Sequence, residues 1–137
     1  MEFCLAFSCE ELSVPVMRRV LGDTLRGLGL TEDSVYDLLL AATEACTNVL
    51  GHGQAGPLNA APGYAVVTSL SGAGCQVQVT GPGCGRPGCA RPSLTVARAC
   101  VDDVTLRRRP GRGTVVTMRK HISWCWDAPL RRVATAS

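Results

Sequence analysis

No apolar run in this chain approaches the roughly 20 residues that span a bilayer, so the sequence predicts no transmembrane helix. The start, Met1-Glu2-Phe3-Cys4, has neither the basic opening nor the long apolar segment of an export signal. None of the 8 cysteines forms a C-x-x-C pair. Without an export signal, they are expected in a reducing cytoplasm rather than in a disulfide framework. Lysine is nearly missing: 13 of the 14 cations are arginine, and Lys120 is the exception. Aromatic residues make up 4% and charged residues 18%, against 46% hydrophobic and a mean hydropathy of +0.15. That balance excludes intrinsic disorder. The 137 residues suit one domain. A chain of this size buries about 68% of its unfolded surface and needs no staples.

The net charge of +3 is unevenly placed. Residues 1–68 hold 8 acids and 3 bases, a balance of −5, while residues 69–137 hold 3 acids and 11 bases, a balance of +8. Such polarity suits a charged partner. An Ala/Gly/Arg-rich composition from a GC-rich genome explains it equally well.

Phe3, Leu5 and Phe7 alternate with Glu2, Cys4 and Ala6, as in a short strand. Ser13 ahead of Pro15 reads as the cap of a helix carrying Val16, Val20, Leu21, Leu25 and Leu28, ended by Gly27 and Gly29. Thr31, followed by Glu32 and Asp33, opens a second helix that runs through Val49 to Gly51. Tyr64–Leu70 and Cys75–Val79 flank Ser71-Gly72-Ala73-Gly74 as a hairpin. A glycine-rich stretch at 81–88 cannot be regular structure. A short helix over Leu94–Val101, begun by Ser93, then precedes strands at Val104–Leu106 and Thr114–Met118. The predicted fold is an α+β two-layer sandwich, a mixed or antiparallel sheet with helices on one face. Residues 1–121 form the domain, and 122–137 a tail partly anchored by Trp124 and Trp126.

The second helix carries the candidate chemistry. Glu44 and Asn48 stand one turn apart on a face otherwise lined by Ala41, Ala42, Ala45 and Val49. A carboxylate can accept a proton or orient a nucleophile. A carboxamide oxygen is a hard ligand suited to Mg²⁺. Taken alone, such a pair also fits an ordinary solvated helix face.

The run from Leu40 through Glu44, Asn48 and His52 to Gly53 resembles the N box of the GHKL (Bergerat-fold) ATPases. It resembles most the serine-kinase anti-sigma factors of the RsbW/SpoIIAB type and their actinobacterial relatives. Val101-Asp102-Asp103-Val104, followed by Gly111-Arg112-Gly113-Thr114, is similar to that family's closing segment, and the likeness covers about residues 3–121. It implies that Glu44 positions the phosphoacceptor or water and that Asn48 binds Mg²⁺. It also implies that His52, Gly83, Gly85, Gly113 and Thr114 line an ATP site.

Two departures stand out. The family's D-x-G-x-G box is matched at Gly83 and Gly85, but Gly81 replaces the aspartate that receives the adenine amino group. A hydrogen bond to a charged group is worth about 1.5–3 kcal/mol. Its loss weakens binding by roughly tenfold to more than a hundredfold. Where the family carries G-x-G at the helix after the lid, with N–H groups on the phosphates, this chain has Arg91-Pro92-Ser93. Pro92 has no N–H to give.

The resemblance implies an anti-sigma factor that sequesters a sigma factor and is countered by a STAS-type anti-anti-sigma protein, with ATP binding and kinase activity weakened or lost. An active serine/threonine kinase acting on that antagonist is the alternative. A redox- or zinc-responsive regulator on the same scaffold, using Cys84 and Cys89, is the second. The family is homodimeric and grips its sigma factor through an arginine of the first helix, matched by Arg18 with Arg19 beside it. Arg107-Arg108-Arg109 has no aromatic platform and no DNA-binding motif around it. It reads as a solvated loop, with no direct contact to nucleic acid. Cys4, Cys46, Cys75 and Cys100 are expected to pack as small buried hydrophobes.

Overall fold

A computed structural model describes residues 1–50, 63–72, 74–82, 94–109 and 113–125, save the Arg109 side chain. The order is β1 (Glu2–Ser8), α1 (Ser13–Leu28), α2 (Glu32–Val49), β2 (Gly63–Ser71), β3 (Gly74–Gly81), α3 (Thr95–Cys100), β4 (Asp103–Arg109) and β5 (Gly113–His121). All strand pairs are antiparallel, in the order β1-β2-β3-β5-β4. This is the expected α+β sandwich, with its helices on one face of the sheet.

Alternation decides which face is covered. Tyr64, Val66, Thr68 and Leu70 of β2, and Cys75, Val77 and Val79 of β3, point inward and are buried. α2 packs on β3 and β5, with α1 and α3 on its flanks. Its buried residues include Ala41, Ala42, Ala45 and Cys46, and these small side chains let both neighbouring helices approach closely. Cys46 and Cys75 are buried as expected and Cys100 is half-buried, but Cys4 is exposed. With Phe3, Leu5 and Phe7 turned inward, the strand period leaves Cys4 on the helix-free face.

Local chemistry sets the helix ends. Gly29 takes φ 101°, and its N–H donates to the Arg26 carbonyl while the Leu30 N–H reaches Leu25. Buried Leu25 and Leu30 complete this Schellman cap. Gly27 lies inside the helix. Thr31 caps α2 as expected, accepting from the Ser34 N–H. Ser13 does not cap α1: it is the first helical residue, Leu12 precedes it in αR geometry, and its hydroxyl bonds the Glu10 carbonyl and the Tyr64 hydroxyl.

After β5, Ile122 is buried and Ser123 and Cys125 bond back to the α1–α2 linker. No helix among the described residues is long and apolar enough to cross a membrane.

Candidate functional site

Asp37, Ala41, Glu44 and Asn48 recur along one stripe of α2, at the spacing that aligns side chains on a helix. The stripe faces α3 and the end of β5. Asp37 Oδ2 lies 3.2 Å from Lys120 Nζ, so the chain's one lysine forms a half-buried ion pair here. Glu44 accepts two backbone hydrogen bonds, Oε1 from the Ala97 N–H at 2.8 Å and Oε2 from the Val96 N–H at 3.2 Å. Its carboxylate therefore forks across two consecutive amides of the first turn of α3. Asn48 is half-buried one turn further on. The Cys100 thiol stands at the same joint. Burial pushes its pKa up, with Asp37 and Glu44 adding to the rise and Lys120 opposing it.

The C-terminal end of α2 meets the end of β3. A side-chain carbon at Gly81 would fall 2.7 Å from the Val49 carbonyl oxygen and 2.8 Å from its Cγ2. Gly113 has φ 99° and would drive any side chain into the Gly81 carbonyl. Thr114 is buried opposite Gly81 in the β3–β5 pairing. The structure thus brings Gly81, Gly113 and Thr114 together with Val49.

His52, Gly83 and Gly85 lie outside the described residues, as do Cys84, Cys89, Arg91-Pro92-Ser93 and Trp126. Among the described residues, no group of His, Cys, Asp and Glu is arranged to hold a metal ion.

Arg18 and Arg19 separate on α1. Arg18 Nη1 donates to Thr43 Oγ1 at 2.6 Å and so braces α1 on α2. Arg19 is exposed. Around it Leu12, just ahead of α1, and Val16 and Val20 on α1 form an apolar stripe, 79%, 52% and 37% exposed among the described residues. Arg107 and Arg108 are exposed too, but they sit in β4 at the sheet edge rather than in a loop.

Sequence reasoning singled out Glu44 but not its partners, because backbone amides leave no residue-type signature. It also missed the Asp37–Lys120 pair and the Thr43 acceptor. The spacing of 37, 41, 44 and 48 was the available signal for the stripe. Val49 reads in the sequence as an apolar neighbour of Glu44 and Asn48, with nothing to say that Gly81 rests on it.

ATP with Mg²⁺ is the ligand that the resemblance implies. Asn48 and the Gly113-Thr114 pair are compatible with it. The rest of the described site is not. Position 81 has no carboxylate and no room for one, and the Glu44 carboxylate and the first amides of α3 are spent on each other. No phosphoryl-transfer step follows from these residues.

The family described as the histidine kinase-like ATPase domain matches residues 7–120. No curated protein matches the chain. Among solved structures, the chain is similar to that of the RsbU and RsbW domains of Rv1364c from Mycobacterium tuberculosis, with a TM-score of 0.73 and 19% identity. The match covers 89% of this chain and 32% of that one, so the present chain corresponds to about a third of the longer protein.

Proposed function

The chain belongs to the histidine kinase-like ATPase domain family, and from that premise we propose that it is an anti-sigma factor that works by sequestration. Its antagonist is a STAS-type anti-anti-sigma protein, and its working form is a homodimer in the cytoplasm. The similarity to a structure containing an RsbW domain supports this branch of the family. ATP with Mg²⁺ is the ligand class that membership suggests, and phosphorylation of the antagonist is the enzymatic version of the same role.

The observation that carries the reading is the outer face of α1. Leu12, Val16 and Val20 follow an i, i+4, i+8 spacing, which normally marks the face a helix buries, yet all three lie open to solvent. Exposed Arg19 stands beside them, a residue suited to bidentate pairing with carboxylates. An apolar stripe flanked by a guanidinium fits an amphipathic helix with acidic residues at its margin. Arg18, held by Thr43, fixes α1 in place under that surface.

The test is co-purification with the sigma factors of the same genome. Val16→Asp combined with Arg19→Glu should abolish capture while leaving the unfolding midpoint unchanged, since both positions are exposed. Arg18→Glu should also abolish it, with some loss of stability. Undiminished capture by both variants would remove α1 from the account. Phosphate transfer from ATP to a STAS-type protein would favour the kinase instead.

A further inference from the structure

The resemblance gives the family's nucleotide cleft the N-box glutamate, here Glu44, and the first glycine box, here opening at Gly81, and each of these two positions makes a contact inside the molecule. We propose that they close this cleft from within: the Glu44 carboxylate serves as the chain's own anion on α3, Val49 fills the space beside Gly81, and the fold is held together without ATP.

At the α3 end, the first amides of a helix have no partner within it and need an acceptor. Glu44 supplies one to two successive amides, at 2.8 and 3.2 Å. Such charge-assisted bonds are stronger than neutral ones. A phosphate brought to the same amides would meet a carboxylate already bound there, and like charges at that range repel. A carboxylate spent on two donors is also not free to orient a nucleophile. Glu44 is thus a positioning residue, tying α3 to α2.

At the other end, Gly81 is a packing requirement. An aspartate there would place its first side-chain carbon 2.7 Å from a backbone oxygen, so the last turn of α2 would have to move. Val49 is fully buried and Gly113 presses on Gly81 from the neighbouring strand, which leaves little freedom for such a shift. The two contacts share no residue, and each commits to interior packing a position, Glu44 or Gly81, that the resemblance assigns to the family's nucleotide site.

Both ends can be tested on the full chain. The first measurement is calorimetric titration with ATP and Mg²⁺ up to about 1 mM, a range that captures even weak ligands. The second is amide hydrogen exchange at Val96 and Ala97 in the wild type, in Glu44→Gln and in Glu44→Asp. We expect no saturable ATP binding. Exchange at both amides should speed up by about tenfold or more in Glu44→Gln, the loss expected when charged hydrogen bonds go. The increase should be smaller in Glu44→Asp, which keeps the charge on a shorter stem. If Glu44→Gln does not fold, the aspartate variant carries the exchange test alone, with faster exchange at both amides expected. Saturable ATP binding by the wild type, or unchanged exchange in the folded variants, would overturn the proposal. Neither measurement reads partner binding, so a failure here leaves the α1 surface untouched.

Discussion

The indole N–H of Trp124 donates to the Gly72 carbonyl oxygen across 2.7 Å, which pins the β2–β3 turn to the segment that follows β5. The Trp124 backbone also pairs with Leu30 in an isolated β-bridge, so one residue joins the turn, the α1–α2 linker and the chain beyond the sheet. Trp124→Phe keeps an aromatic ring and removes the donor. It should cost about 1 kcal/mol, the usual net worth of one hydrogen bond. Trp124→Ala also removes the packing and should cost about 3 kcal/mol. Urea unfolding of the two variants separates these contributions. Equal midpoints for wild type and Trp124→Phe would show that the Gly72 bond contributes nothing.

Thr68 lies fully buried on the inner face of β2, and its hydroxyl has no hydrogen-bond partner among the described residues. A buried unsatisfied hydroxyl costs about 1–3 kcal/mol relative to a satisfied one. Valine has nearly the same shape and the same preference for strands. Thr68→Val should therefore raise stability by about 1 kcal/mol, seen as a higher thermal midpoint with no change in partner binding. A lower midpoint would mean that the hydroxyl is satisfied in solution, for instance by water.

The features that could be read from the chain are those governed by neighbours in sequence. Thr31 and Gly29 announced the ends of the helices because capping depends on a few adjacent residues. The period-2 pattern of β1, β2 and β3 was plain because one sheet face is covered and the other is open. Strand extent was less legible. Val104–Leu106 became Asp103–Arg109, because arginines at an edge strand stay in solvent and look like loop. Strand order was beyond local patterns, since β5 sits between β3 and β4 through pairing remote in sequence. The candidate site shows the same division: the spacing of Glu44 and Asn48 was readable, but the amides that engage Glu44 lie more than 50 residues away.

Lys120 Nζ reaches Asp37 Oδ2 at 3.2 Å, with the two side chains 16% and 37% exposed. Fully exposed pairs contribute about 0–1 kcal/mol. Partial burial strengthens the attraction and raises the desolvation cost, so the net coupling should be about 1 kcal/mol. A double-mutant cycle with Asp37→Asn and Lys120→Met isolates it. Asp37→Asn should cost more than Lys120→Met, which keeps the apolar stem, because it leaves the more deeply buried ammonium uncompensated. Additive single and double variants would show that β5 is held to α2 by packing alone.

Burial pushes the thiols of Cys46 and Cys75 up to about 12 from an ordinary value of 9.0. In the unfolded chain both release their protons near the ordinary value, whereas in the fold both keep them. Above that pH the unfolded state binds fewer protons than the native one, so stability falls as pH rises. The contribution is whole below pH 9 and is lost between pH 9 and about 12. Each thiol should add a slope of about 1.4 kcal/mol per pH unit in that window. Burial raises the Tyr64 hydroxyl in the same direction. Urea midpoints from pH 8 to 10.5 should therefore drop steeply for the wild type. They should drop less for Cys46→Ala with Cys75→Ala, even though the double variant starts from lower stability at pH 8. At pH 8 a thiol reagent should label exposed Cys4 and Cys125 well before Cys46 and Cys75. Parallel pH profiles for the two proteins, or prompt labelling of Cys46, would show that these thiols are not sealed in the core.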